Sequence, residues 1–226
     1  MSVIRFEHVS HGYGRRSVLQ DIDLELTESR IGIVGSNGSG KSTLARMING
    51  LVSPNEGTVT VDGLNVARKG GQVRRKVGFV FTDPDNQIVM PTVAEDLAFS
   101  LRRTGAGKDD VRDRVSEMLD KFGLAGHADH PAHLLSGGQK QMLAIGAVLI
   151  RRPEVLVADE PTTLLDLRNA RKVGRVFDTL DQQVVVVTHH LDLLTNFDRV
   201  IVIHDARVAY DGRPADALPA YEALLE

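Results

Sequence analysis

Cysteine is absent from the 226-residue chain. That excludes disulfides and thiolate metal sites, and it permits a reducing compartment without proving one. Long apolar runs are missing too. The longest, at 143–150 and 184–187, are far too short to span a bilayer. The N-terminus, MSVIRFEHVS, lacks the apolar core of a signal peptide. A membrane role therefore has to run through a partner. There is no excess of positive charge either. The formal net charge is −3, which gives no global argument for nucleic-acid binding, and no nucleic-acid partner is expected. Arg102-Arg103-Thr104 and Arg151-Arg152 read as solvated faces. No internal repeat or low-complexity linker is visible. What remains is ordinary for a soluble globular protein, with 42 % hydrophobic and 25 % charged residues, and the length suits one α/β domain or a domain with a small lobe.

Residues 3–6 and 19–26 read as strands. The second is read from its alternation, which sets Leu19, Asp21, Asp23 and Glu25 against Ile22, Leu24 and Leu26. Short apolar strands follow at 31–34, 57–62 and 77–81, with a helix near 42–49. From 92 to about 122 the pattern turns helical and charged, with Val111, Val115, Met118 and Leu119 on one face. Residues 136–149 read as a helix with a glycine-rich start. The fully apolar runs 155–158 and 184–188 suit a buried parallel sheet, and 201–203 with 207–210 suit a closing hairpin turning at Asp205. Strands alternating with helices at both ends indicate a parallel sheet covered by helices, with 85–150 as a helical insertion.

Gly35, Ser36, Asn37, Gly38, Ser39, Gly40, Lys41 and Ser42 match G-x-x-x-x-G-K-[ST], followed by Thr43. The match sits between an apolar strand and a helix. Glycines let backbone N–H groups turn inward into a nest for phosphate oxygens, and the helix adds its positive N-terminal end. Lys41 is expected on the β- and γ-phosphates and the Ser42 hydroxyl on Mg²⁺. The competing reading, a glycine-rich turn without ligand, is disfavoured by the strand–loop–helix context. Alone, the motif says only that a nucleoside triphosphate binds.

Leu135-Ser136-Gly137-Gly138-Gln139 then precedes a long apolar helix, and the strand at 155–158 ends in Asp159-Glu160. In this order and company the chain resembles the ATP-binding-cassette (ABC) ATPases over essentially its whole length. By itself the first motif would read as a helix start, with Ser136 as N-cap. The resemblance implies an α/β P-loop NTPase fold of the ABC ATPase type. It would have a mixed, mainly parallel sheet core, an N-terminal antiparallel β region and a helical signature lobe. As a single domain, 1–226 would divide into a core (1–84 and 151–226) and a helical subdomain (about 85–150). It implies ATP and Mg²⁺ as cofactors. Asp159 would hold the metal directly or through water, and Glu160 would orient and deprotonate the attacking water. His189 would contact the γ-phosphate. Tyr13 would stack on adenine, with Arg16 and Val18 flanking the ribose. Ser136, Gly137, Gly138 and Gln139 would close over nucleotide held by a second subunit, head to tail, so that a two-fold pair, most simply with itself, encloses two ATP molecules. The other histidines, His8, His11, His127, His130, His133 and His204, have no metal-site spacing and are read as surface or satisfied residues.

Some positions depart from the pattern. Where relatives carry a metal-contacting glutamine, this chain has Thr82, and nearby Gln87 is the alternative; both remain candidates. Leu164 stands where a small residue is favoured, and Met142 where arginine is frequent, while Asp166 is retained.

Pro84-Asp-Asn-Gln87 followed by Thr92-Val-Ala-Glu-Asp-Leu-Ala-Phe99 resembles the energy-coupling-factor (ECF) importers of vitamins and transition metals. The resemblance implies a peripheral subunit on the cytoplasmic side of the membrane. Its partners would be an integral coupling protein and a substrate-capturing membrane subunit, with biotin as the suggested substrate and cobalt or nickel next. The alternatives are an ATPase subunit of another importer or exporter and, more remotely, a soluble ABC protein of DNA repair or translation. The latter usually carries coiled-coil insertions or two cassettes.

Overall fold

The computed structural model describes residues 1–102 and 104–225. The solvated-face reading holds at Arg102, Thr104, Arg151 and Arg152, all exposed, whereas Arg103 lies outside the described residues. In chain order the elements are β1 (Ile4–Tyr13), β2 (Arg16–Leu26), β3 (Arg30–Val34), α1 (Lys41–Ile48), β4 (Glu56–Val61), β5 (Leu64–Asn65), α2 (Val66–Lys76) and β6 (Val77–Val80). The helices α3 (Val93–Ser100), α4 (Lys108–Lys121) and α5 (Gly137–Leu149) come next. The chain closes with β7 (Val155–Asp159), α6 (Leu167–Asp178), β8 (Gln183–Val187), β9 (Arg199–His204), β10 (Arg207–Gly212) and α7 (Pro214–Ala223).

Two sheets form. One is antiparallel, in the order β2-β1-β4-β5. The other runs β10-β9-β3-β8-β7-β6, parallel throughout except for the β9–β10 hairpin. This is the α/β ABC-type fold with mixed sheets. Its central strands are apolar because both faces are covered. Val155, Val157, Val185 and Val187 point to the side holding α1 and the antiparallel sheet. Leu156, Ala158, Val184 and Val186 point to the other side, which shares its core with α3, α4, α5, α6 and α7.

The strand at 19–26 begins three residues earlier than its alternation indicates, and Leu19 lies inside rather than with the polar face. The cause is Asp21, whose left-handed φ of 50° and shifted pairing flip the sequence of faces. Likewise β1 extends well beyond residue 6, through bulges at His8 and beyond. The His8 imidazole lies 3.1 Å from carboxylate oxygens of Asp21 and Asp23, and its hydrogen bond to Asp21, helped by both charges, pushes its pKa up. The charged stretch 92–122 is two helices. A capping box between Thr92 and Glu95 starts α3, and Gly107 leads into α4. On α4, Val115, Met118 and Leu119 are buried as expected.

Asp96, on α3, is almost wholly buried and accepts from the backbone N–H groups of Val89 (2.8 Å) and Met90 (3.0 Å). It thereby moors the apolar segment 88–91. Burial raises its pKa, opposed by those two donors. A raised folded-state pKa means the folded protein gains stability from this group as pH falls through that pKa, and loses it on the way up. Asp96→Asn keeps an acceptor without a charge. The stability of the parent relative to this variant is therefore expected to increase as pH is lowered from 7 towards 4, measured by denaturant unfolding. A flat difference would remove the buried-carboxyl account.

Candidate nucleotide site

The backbone turns from β3 into α1 through residues 35–40. Gly40 takes φ 107° as the residue before the helix, and a Cβ there would lie 2.5 Å from the Val18 carbonyl oxygen. No other residue fits without moving β2. The first helical bond runs from Leu44 N to Gly40 O at 2.9 Å. The N–H groups of Lys41, Ser42 and Thr43 consequently have no partner within the helix. The Ser39 hydroxyl is buried with no hydrogen-bond partner. Lys41 donates to the carbonyls of Gly35 (2.7 Å) and Ser36 (2.9 Å). Burial pushes its ammonium below the usual lysine range, against the pull of Glu160 and Asp159. Ser36, Asn37 and Gly38 are exposed on the rim. This donor-rich cradle with an orphaned hydroxyl fits the phosphates of ATP.

Asp159 ends β7 almost fully buried. Ser42 Oγ donates to its Oδ1 at 2.6 Å, and Arg46 Nη2 lies 3.0 Å from its Oδ2. The carboxylate and hydroxyl are the hard oxygen donors that Mg²⁺ takes, and the Arg46 guanidinium pairs with the second carboxylate oxygen of Asp159. The Thr82 hydroxyl donates to the Asp159 carbonyl at 2.9 Å, which places it at this cluster. Gln87 is engaged elsewhere. Its Oε1 accepts from Phe81 N at 3.2 Å and its Nε2 donates to Ala144 O at 3.1 Å, so it straps the end of β6 to α5. Of the two candidates, the structure brings only Thr82 to Asp159, through its main-chain carbonyl. Gln87→Ala is expected to lower unfolding stability by about 1–2 kcal/mol and to leave the Mg²⁺ dependence of turnover unchanged. A larger Mg²⁺ shift in Gln87→Ala than in Thr82→Ala would return the metal role to Gln87.

Glu160 follows in the left-handed region, at φ 53°, a conformation that costs about 1–3 kcal/mol and that a functional constraint can retain. Its Oε2 accepts from Thr163 Oγ1 at 3.0 Å and lies 2.8 Å from His189 Nδ1. With the carboxylate ionised, that contact places a proton on Nδ1 and leaves Nε2 as the free ring nitrogen. His190 turns away, 2.9 Å from Thr162 Oγ1, and burial lowers its pKa, with His189 adding to the effect.

At the end of β1, Tyr13 is 57 % exposed, its ring free to stack. The His11 ring meets it edge-on at 4.8 Å. His11 is buried with neither ring nitrogen partnered, so it is not the surface or satisfied residue expected. An Arg16 guanidinium nitrogen lies 2.9 Å from where a Cβ on Gly38 would stand, and Val18 closes over Gly40. Arg16 and Val18 thus flank one side of the phosphate loop, and Tyr13 pairs with Arg16 across the β1–β2 hairpin.

The signature opens α5. Ser136 caps the helix in a capping box with Gln139, whose Oε1 accepts from Ser136 N at 2.9 Å. Ser136 and Gly137 are exposed. A Cβ on Gly138 would lie 2.5 Å from the Asn169 side chain, so this glycine lets the signature approach α6. Asp166 caps α6 through Asn169 N at 2.8 Å. Leu164 is exposed, and Met142 is buried in the core that α5 shares with the sheet. Among the described residues, no hydrogen bond joins the phosphate loop to the signature.

Three contributors were not singled out from the sequence: Arg46, Thr163 and Asn169. Arg46 was accessible, because it stands one helical turn after Ser42 and so shares its face. Thr163 and Asn169 depend on tertiary placement.

A phosphate-cradling loop, a buried metal-type carboxylate and an acid beside a histidine define a P-loop nucleoside triphosphatase. The chain belongs to the ABC transporter family, whose model matches residues 19–163, and it is an ABC ATPase. It is 42 % identical to the biotin transport ATP-binding protein BioM of Rhizobium etli, over 98 % of both chains. To the energy-coupling factor transporter ATP-binding protein EcfA1 of Caldanaerobacter subterraneus subsp. tengcongensis it is 38 % identical, over 98 % of this chain and 84 % of the relative. The fold superposes on cbiO1 of Clostridium perfringens, part of the ABC transporter complex cbiONQ, with TM-score 0.86 and 31 % identity over 98 % and 92 % of the two chains. It also superposes on the ATP-binding cassette MJ0796, a dimer in a post-hydrolysis state with ADP and Pi. There the TM-score is 0.82 and the identity 30 %, over 93 % and 98 %. The chain is therefore the ATP-binding subunit of an ABC system. No helix among the described residues is long and apolar enough to cross a membrane.

Proposed function

We propose that this subunit hydrolyses ATP in a head-to-tail pair with itself and so drives micronutrient import by an ECF-type membrane complex, with biotin as the first candidate and cobalt or nickel next. The observation that carries the pairing is the exposed signature. Ser136 and the start of α5 face outward, unbonded to the chain's own phosphate loop, so each site needs a second chain. The ECF reading rests on the 84–99 pattern and on the kinship with proteins named for biotin transport and energy coupling.

Lys41, the N-terminal amides of α1 and the Ser39 hydroxyl would bind and orient the phosphates. Ser42, Asp159 and Thr82 would hold Mg²⁺, which when bound neutralises charge on the phosphates. Glu160, fixed by Thr163 and His189, would orient water in line with the γ-phosphorus and take its proton. Loss of the γ-phosphate would remove contacts joining the two subunits, and the pair would open.

A groove of about 630 Å³ runs between core and lobe, lined by Arg74, Gln87, Val89, Phe99, Arg102 and Arg151. Gln87 ties this groove to the end of β6, next to Thr82. A segment of the integral membrane partner docking here would feel the site open and close. The absence of native cysteine makes the test clean. A single cysteine at Val89 or Phe99 should cross-link to a co-expressed membrane protein, whose identification by mass spectrometry also names the system. Efficient cross-linking from a cysteine at Asp205 but none at these two positions would overturn the docking site. Co-purification of an exporter in place of a small substrate-capturing protein would overturn the importer reading.

A further inference from the structure

We propose that His127 is a positioning residue for the signature, an outer support that keeps Ser136 and the start of α5 presented to the nucleotide of a second subunit. The inference rests on the paired reading above.

Gln139 is the middle of a three-part chain. Its Oε1 accepts from Ser136 N at 2.9 Å, and its Nε2 lies 3.1 Å from His127 Nε2. The first contact fixes the amide orientation, because only the oxygen can accept from an N–H. The nitrogen therefore faces His127, and an amide nitrogen only donates. His127 Nε2 must accept, so its proton sits on Nδ1, which is buried and has no partner. A protonated imidazole, or one carrying its proton on Nε2, cannot make this contact.

The return bond of the capping box, from Gln139 N to Ser136 Oγ, is long at 3.4 Å and exposed. At that length it holds Ser136 weakly. The geometry of the Ser136 end therefore depends on the Gln139 side chain, and that side chain is steadied from outside by His127. The mount for His127 is well tied. It ends a short helical turn, Ala125–His127, whose N–H reaches Leu124 O at 2.8 Å. The next residue, Ala128, accepts from Ala94 N at 2.9 Å, and the His130 ring meets His127 edge-on at 5.6 Å. The support thus links the signature to α3 and α4 of the lobe. It touches neither the phosphate loop nor Glu160 of its own chain.

The test measures ATP–Mg²⁺-dependent dimerisation by analytical ultracentrifugation in a Glu160→Gln background, alongside ATP affinity at protein concentrations where the chain is monomeric. His127→Phe keeps bulk and the edge-on contact but removes the acceptor. It should raise the protein concentration for half-dimerisation by about tenfold, since each pair uses the support twice, and leave monomer ATP affinity unchanged. His127→Gln, whose Oε1 reaches the place of Nε2, should restore dimerisation. If the phenylalanine variant does not fold, His127→Asn takes its place, because its oxygen stops short at the Nδ1 position. Dimerisation equal to the parent in the acceptor-less variant overturns the proposal, as does a loss that His127→Gln fails to restore. A Glu160→Gln parent that binds ATP but stays monomeric overturns the paired reading itself, and the support with it.

Discussion

Glu160→Gln is expected to bind ATP within about twofold of the parent, to lose at least about a hundredfold in turnover, and to accumulate as an ATP-bound dimer. Glutamine is isosteric and keeps an oxygen where Oε2 stands. Thr163 Oγ1 and His189 Nδ1 retain their acceptor, now at a neutral group. The left-handed backbone at 160 and the hydrogen bond from Glu160 N to Val187 O do not depend on the side chain. What is lost is the ability to take a proton, and general-base contributions of that kind run to about 10²–10⁴-fold. Because the γ-phosphate is then not cleaved, the contacts that close the pair persist. Phosphate release and size-exclusion chromatography with ATP check both halves. Unchanged turnover would remove Glu160 as the base. Lost turnover with ATP bound but no dimer would keep Glu160 as the base and overturn the paired reading.

The parts of this site legible in the sequence are those set by local chain chemistry. The phosphate loop, the Ser136 cap and the two acids leaving β7 each follow from short-range rules about turns, helix starts and charges at the end of an apolar strand. The parallel strands were equally visible, because burial on both faces leaves continuous Val-, Leu- and Ile-rich runs. Other features were hidden. Helix α2 buries only Val66 and Val73 and contains two adjacent glycines, so it carries little helical pattern. Helix α6 does carry one, with Ala170, Val173 and Phe177 buried on one face, but no motif residue beyond its Asp166 cap marks it. Leu19 was misplaced because a left-handed residue inside a strand breaks the two-residue period. Gln87 and Thr82 could not be separated by sequence, since both lie within a few residues of the strand end. Only the backbone groups that consume the Gln87 amide decide which side chain reaches Asp159. His11 and His127 fell outside any motif; burial revealed the first and the contact with Gln139 the second.

The second large effect concerns Lys41, where binding and stability are expected to move in opposite directions. Its ammonium is buried and held by two main-chain carbonyls, neither of them an anion. Desolvation disfavours the charge, which is why its pKa is lowered. A lysine with a folded-state pKa below its unfolded value costs the fold stability at neutral pH, and that cost disappears as pH rises from the lowered value to the ordinary one near 10.5. Lys41→Met keeps the straight stem and removes the charge. In the absence of nucleotide it should be no less stable than the parent at pH 7, and any advantage should shrink as the buffer is taken towards pH 10. With ATP and Mg²⁺ the order reverses. The parent would gain charge-assisted bonds to the β- and γ-phosphates worth about 1.5–3 kcal/mol. The variant should therefore bind ATP about ten- to a hundredfold more weakly and show little nucleotide-induced rise in Tm. Lys41→Arg should not rescue binding, because a planar guanidinium does not fit a pocket shaped around a slender ammonium and closed by Gly35 and Ser36. Parallel thermal melts with and without ATP are sufficient. A variant destabilised by several kcal/mol without nucleotide would make Lys41 a structural residue first, and a full ATP-dependent Tm shift in Lys41→Met would remove it from the phosphate site.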